Sequence, residues 1–315
     1  MCLLFLGGLA GRGRWRGKQA WGSAARSAVD SWADGGDHAR ISRVTSPKRN
    51  NTQRPTSGGT NKRRGPRWTM PPRDPGSHRA VLELQVLPQP NDTTCGPTCL
   101  HAVYSYFGDQ VALGDVVREV TPLPGGGTLA VYLAQHALRR GYKATIFTYN
   151  LQLFDPTWFR ESADLRAKLI EQRTIKTDAQ LRQATQAYLE FLDLGGTVYL
   201  GDKTSSLIRR FLKRGIPILT GLSATYLYRC AREIDDEYDD VLGMPLGHFV
   251  VLSGYDKQTK EVMIADPLHD NPGFGQQYYS VNVEQLIASI MLGIVTYDAN
   301  LLILEPPAGV VKGKP

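Results

Sequence analysis

Pro97 fixes the start of a helix. Proline is tolerated inside a helix only in the first turn, where its missing N–H has no intrahelical partner to lose. The chain around it reads Gln89-Pro90-Asn91-Asp92-Thr93-Thr94-Cys95-Gly96-Pro97-Thr98-Cys99. Thr93 or Thr94 is a good N-cap. The helix is expected to run from about Thr94 to Phe107, stopped by Gly108. Cys95 then lies at or just before the first turn. There the uncapped N–H groups and the positive end of the helix dipole favour an anion.

From that helix onward the patterning is that of a globular chain. Leu113, Val116, Val117 and Val120 repeat at helical spacing, and Thr128–Arg140 reads as a third helix closed by Gly141. Residues 162–193 read as one or two amphipathic helices, with Leu181, Ala184, Tyr188 and Phe191 on one face. Thr204–Arg214 is a further helix before Gly215, and another falls around Val283–Leu292. Strands are expected at Val81–Val86, Lys143–Tyr149, Pro217–Leu222, Gly247–Gly254, Glu261–Ala265 and Leu301–Leu304. Helices dominate the first half and strands the second. This order predicts an α+β fold, with N-terminal helices packed to one side of an antiparallel sheet. No internal repeat is visible.

Charge divides the chain near residue 70. The first 69 residues hold 14 of the 37 Lys/Arg but only 3 of the 30 Asp/Glu, so the net +7 belongs to them. They are rich in Gly, Arg and Ser and lack an apolar period, and they are expected to be a disordered basic leader. Met70 is a candidate translation start. The competing readings are a basic arm, carried by Lys62, Arg63, Arg64 and Arg67, and an export signal. The apolar stretch Leu3–Ala10 is short and has no preceding positive charge, so a cytoplasmic location is expected. Residues 70–306 form the expected domain, with a helical insertion at about 155–193, and 307–315 form a tail. That domain is slightly acidic, which argues against nucleic acid as its partner. No apolar run reaches the roughly 18 residues of a membrane span. The four cysteines show no zinc-site spacing, so neither metal nor cofactor is expected.

A thiol at a helix start has the local chemistry of a nucleophile, since thiolate is the reactive form. Gly96 would let a substrate backbone approach the sulfur. A small buried apolar cysteine is the competing reading. Cys99, one turn on, is poorly placed for a disulfide with Cys95 and is expected in the core with Val103 and Tyr106. Cys2 and Cys230 have no readable partner. A nucleophilic thiol also needs a base. His38 and His78 lie in the unpatterned lead, His101 and His136 within helices, and His269 in a polar turn. His248 differs: it opens the apolar run after Gly247, and the run Val262–Ala265 ends at Asp266-Pro267. A hairpin centred between Lys257 and Gln258 puts position 248 opposite about 267, with Asp266 one residue away. An ordinary surface His–Asp pair is the competing reading.

These residues together resemble the papain-like cysteine peptidases of the bacteriocin-processing (double-glycine leader) type and their stand-alone relatives, the C39-like peptidases. The carrying residues are Gln89 six before Cys95, Cys95-Gly96-Pro97-Thr98-Cys99-Leu100, Gly247-His248-Phe249-Val250-Val251-Leu252, Gly254-Tyr255 and Ala265-Asp266-Pro267. The resemblance implies a papain-like fold and a peptide or protein substrate. It implies Cys95 as nucleophile, His248 as general base and then acid, and Asp266 as the group orienting His248. It also implies that the Gln89 amide and the Cys95 N–H form an oxyanion hole. Thr94 stands where that family often has Asp.

By separate inference, the loop Gly125-Gly126-Gly127-Thr128 is a place for substrate backbone to dock, with Gly96 and Gly247 beside the reacting groups; a plain flexible connection is the alternative. The acidic segment Arg232–Asp240 reads as a solvated loop, or more sharply as a lid or a site for a basic peptide. Two other functions use the same residues: an acyl-enzyme resolved by an amine, in a transpeptidase or amidotransferase, and a non-catalytic peptide binder. The oligomeric state is not readable.

Overall fold

The computed structural model describes residues 79–307, apart from 162, 202, 203 and 298. The basic leader, the Met70 start, Cys2, His38, His78 and residues 308–315 lie outside the described residues.

The elements follow one another as β1 (Arg79–Val81), α1 (Cys95–Tyr106), α2 (Leu113–Glu119), α3 (Ala130–Arg139), β2 (Lys143–Thr148), α4 (Leu165–Ile175) and α5 (Ala179–Asp193). Then come β3 (Thr197–Leu200), α6 (Thr204–Lys213), β4 (Ile218–Ser223), α7 (Ala224–Tyr228), β5 (Glu233–Ile234) and β6 (Glu237–Tyr238). The last are β7 (Gly247–Asp256), β8 (Glu261–Ala265), β9 (Tyr278–Asn282), α8 (Val283–Leu292) and β10 (Asn300–Glu305). The main sheet runs β3-β2-β10-β4-β7-β8-β9, and β1 extends the line of β4 along β7.

The architecture is α+β, with two differences from the expected pattern. The β2–β3 pair is parallel, whereas the other pairs in the sheet are antiparallel. The 48 residues between them, 149–196, leave room for α4 and α5, the long crossover that a parallel pair requires. Helices also cover both faces of the sheet, not one. Phe249, Val251, Leu302 and Leu304 face the core of α1, α3 and α5. Val250, Leu252, Leu301 and Ile303 face the core of α6, α7 and α8. This explains the unbroken burial of β4 and the apolar run Phe249–Leu252 of β7, since a strand buried on both faces has no reason to alternate.

Several local signals act as expected. Gly108, Gly141 and Gly215 end α1, α3 and α6 with positive φ. Asp164 and Asp178 accept from Ala167 N and Leu181 N at the starts of α4 and α5. The face of α5 carrying Leu181, Ala184, Tyr188 and Phe191 is buried. Val81–Val86 forms less strand than its alternation suggests. Pairing stops at Val81, although Leu82, Leu84 and Val86 still turn inward.

The β7–β8 hairpin positions the site. Asp256 pairs with Glu261 near the turn, but beyond a bulge at Ser253 the register shifts and Val251 pairs with Ala265. A register of 248 opposite 267 would turn Asp266 to the wrong face, because side chains alternate. The observed register puts Asp266 on the face of His248. At the bulge, a Cβ on Gly254 would lie 2.9 Å from the Ala80 carbonyl oxygen and 2.9 Å from Met263 Sδ. Gly254→Ala is therefore expected to destabilise the fold by about 1–3 kcal/mol, read as a lower midpoint in urea unfolding. An unchanged midpoint would show that β1 and β8 yield freely there.

Candidate active site

The turn before α1 is built by side chains that fold back on it. Asn91 Oδ1 accepts from Thr93 N and Thr93 Oγ1 at 3.0 and 2.9 Å. Thr94 is the N-cap residue, but its hydroxyl donates to Asn91 O (3.0 Å) and accepts from Asn91 N (3.2 Å) instead of capping the helix. No side chain caps the first turn of α1, so its dipole end is left facing the Cys95 region. Cys95 itself is fully buried.

Gln89 is tied to both halves of the site. Its backbone N donates to Pro267 O at 2.9 Å, next to Asp266, and its Nε2 donates to Asn91 O at 3.0 Å. An amide nitrogen carries two hydrogens, so this bond leaves one Nε2–H for another acceptor. Its Oε1 is buried and has no hydrogen-bond partner.

His248 is the second residue of β7, lies opposite Leu222 of β4 and is 2% exposed. Its Nε2 lies 2.8 Å from Asp266 Oδ1, and its ring also hydrogen-bonds the Cys95 side chain. With Nε2 taken, Nδ1 is the nitrogen left for the sulfur. Burial works against protonating this ring, but the charges of Asp266 and Cys95 outweigh it and push its pKa up to about 10.

Asp266 is wholly buried and has four donors. Oδ1 receives His248 and Leu268 N (2.9 Å), and Oδ2 receives Tyr228 OH (2.7 Å) and Tyr279 OH (2.6 Å). Burial would raise its pKa, but His248 and the two tyrosines hold it below the usual carboxylate range. Tyr279 is stacked on Phe274 at 3.8 Å, and a Cβ on Gly273 would meet the Tyr228 Cα at 2.8 Å. Both hydroxyls are thus held by packing as well as by the bond.

The sequence reading missed Tyr228 and Tyr279. Tyr279 lies on β9, whose alternation of exposed and buried residues could have flagged it. Tyr228 ends the five-residue α7, too short to show a period.

The glycines do other work than expected. A Cβ on Gly96 would lie 2.7 Å from Thr128 Cγ2 and 3.2 Å from Phe249 Cδ2, so its bare face is filled by protein and not open to substrate. Gly247 likewise makes room for Thr296, 3.0 Å from where its Cβ would be. Gly126 and Gly127 adopt positive φ in a tight turn, closed by Gly126 N to Leu123 O at 3.0 Å. That turn delivers Thr128, whose hydroxyl donates to Thr121 O (2.8 Å) and whose methyl packs on Gly96. The loop therefore buttresses the Cys95 turn.

The remaining candidates fall outside this cluster. Cys99 is buried, and its thiol donates to Phe249 O at 3.2 Å. His136 is held between Tyr104 OH (2.8 Å) and Glu119 (3.1 Å). His269 is exposed beside Asp270. None of Cys95, Cys99 and Cys230 is in a disulfide. Among the described residues, no group of three or more His, Cys, Asp or Glu side chains could hold a metal ion, and no helix is long and apolar enough to cross a membrane.

The sequence profile of the Peptidase_C39 like family matches residues 81–289, about two thirds of the chain. The chain belongs to this family. It is a cysteine peptidase, and the match spans Gln89, Cys95, His248 and Asp266 alike.

Three solved structures similar to this C39-like peptidase are remote in sequence. One is described as a C39-like peptidase from Bacillus anthracis, 17% identical, covering 72% of this chain and 98% of that one, with a TM-score of 0.38. Another is the peptidase domain of Streptococcus ComA, a bi-functional ABC transporter involved in a quorum sensing pathway. It is 12% identical, covers 71% of this chain and 99% of that one, and has a TM-score of 0.34. A third is xylellain, a cysteine protease from Xylella fastidiosa, 12% identical, covering 72% and 85%, with a TM-score of 0.36. No curated protein matches the chain.

The two shifts fix a pH dependence. His248 is raised, so its contribution to stability is complete below about pH 6.5 and lost as pH rises through about 10. Asp266 is lowered, so its contribution is present above about pH 3.9 and lost as pH falls through its folded value. Imidazole nitrogen NMR should show His248 still protonated at pH 8; titration near 6.5 would contradict this. Tyr279→Phe should cost about 1.5–3 kcal/mol of unfolding free energy at neutral pH, by removing a bond to a buried charge. A loss below about 0.5 kcal/mol would contradict the role given to that hydroxyl.

Proposed function

We propose that this chain hydrolyses a peptide or isopeptide bond through an acyl-enzyme on Cys95. His248 and Asp266 complete the catalytic set, and Gln89 shares the oxyanion hole. The observation that carries the reading is the buried run of bonds from Cys95 through His248 to Asp266. A protonated His248 beside the sulfur stabilises thiolate, because the attraction that raises one group favours the charged form of the other.

Attack by the Cys95 sulfur on the substrate carbonyl gives a tetrahedral oxyanion. The uncapped start of α1 and the second Nε2–H of Gln89 are the donors at hand for that charge. His248 then gives its proton to the departing amine, and the C–N bond breaks to leave a thioester. Water, deprotonated by His248, attacks the thioester and releases the acid and the thiol. Asp266 keeps Nε2–H directed away from the sulfur throughout, so that Nδ1 carries the proton in transit. A reducing compartment such as the cytoplasm suits a working thiol beside free Cys99 and Cys230.

Labelling with iodoacetamide across pH tests the pair. Cys95 should react below about pH 7 in the parent chain, and His248→Ala should move that reactivity to the ordinary thiol range near 8.5. Equal profiles in both would end the catalytic reading. For peptide turnover, Gln89→Ala should lower kcat by about 10²–10³ with little change in KM. A change confined to KM would show that Gln89 binds the ground state instead.

A further inference from the structure

The acidic segment before β7 is not the solvated loop its composition suggests. β5 and β6 form a hairpin whose turn residues, Asp235 and Asp236, have φ of 50° and 63°. Glu233 exchanges both backbone bonds with Met244, N to O at 3.1 Å and Met244 N to Glu233 O at 2.8 Å. A Cβ on Gly243 would lie 2.4 Å from Asp239 O, so the return strand packs without a side chain there. Asp239 accepts from Val241 N and Leu242 N, both at 2.7 Å. This is a built structure, and it feeds directly into His248.

Within it, Glu233 is 2% exposed, and neither of its carboxylate oxygens has a hydrogen-bond partner. Leaving a buried carboxyl unpaired is costly. Burial is the largest cause raising its pKa, and among the other causes the charges of Asp236, Asp92 and Glu237 act in the same direction. The arginines that flank it in sequence are engaged elsewhere. Arg232 donates to the Asp240 and Val241 carbonyls, and Arg229 lies over the Tyr226 ring at 4.0 Å. Asp92 is three residues before Cys95, and Met244 is four before His248. Glu233 is therefore paired with the segment that leads to His248, and its carboxyl feels the charge of Asp92 in the segment that leads to Cys95.

We propose that Glu233, with the acidic rim of its hairpin, forms a subsite that takes an arginine or lysine side chain of the peptide substrate. A guanidinium would donate to both orphan oxygens in a fork and satisfy them at once. Asp236 and Glu237 would draw the basic residue in. The proposal rests on the peptidase reading above and adds the substrate class to it.

The test uses the full chain and a panel of octapeptides in which one arginine occupies each position in turn, each paired with a citrulline peptide of the same sequence. The readout is protection of Cys95 from iodoacetamide, which registers occupancy whether or not the peptide is cleaved. At one or more positions, arginine should protect at least about tenfold more strongly than citrulline. Glu233→Gln should bring that ratio to near one, and Glu233→Asp should keep most of it. If Glu233→Gln does not fold, the exposed pair Asp236→Asn with Glu237→Gln should still lower the ratio by about twofold. No arginine preference at any position, or a preference untouched by these changes, overturns the subsite. Labelling of Cys95 that ignores His248→Ala would instead overturn the peptidase reading, so the two failures are distinct.

Discussion

The site depends on one buried carboxylate. Asp266 sits where an isolated charge would be prohibitively costly, and four donors arranged around its two oxygens make it tolerable. Each donor comes from a different element: β7, the chain just past β8, α7 and β9. The carboxylate therefore ties together the parts that arrive last in sequence, and it fixes His248 in both tautomer and direction. Everything on the cysteine side is arranged to meet that ring. Pro97 sets where α1 begins, Thr128 fills the space above Gly96, and Gln89 is pinned by Asn91 on one side and Pro267 on the other.

Much of this was legible in the sequence, for reasons that are local. Pro97 placed the helix start, the helix-ending glycines marked three helix ends, and the helix expected around Val283–Leu292 has those bounds, with Asn282 accepting from Glu284 N as its cap. The pairing of His248 with Asp266 was expected, but from a register that would have turned Asp266 to the other face. The bulge at Ser253 supplies the missing residue, and nothing in Leu252-Ser253-Gly254 announces a bulge except the glycine after it. The β5–β6 hairpin was hidden for a different reason. Its strands are two residues long and mostly charged, so no period could form.

The glycines show where reading by residue type misleads. Gly96 beside a nucleophile suggested space for a substrate, yet the space is occupied by Thr128 and Phe249. Here the missing side chains let the protein approach itself. The N-terminal helices pack on one face of the sheet as expected, but α6, α7 and α8 cover the second face. β4 and β7 are buried at nearly every position, and that is the pattern of a strand covered on both sides.

The central claim is that Cys95 and His248 share a proton as thiolate and imidazolium, held so by Asp266. The most direct measurement is the thiolate absorbance near 240 nm across pH, taken as the difference between the parent chain and Cys95→Ser. The account predicts a difference already present at pH 6, and its loss when Asp266→Asn is made in the parent chain. A difference that appears only near pH 8.5, as for an ordinary thiol, would contradict it.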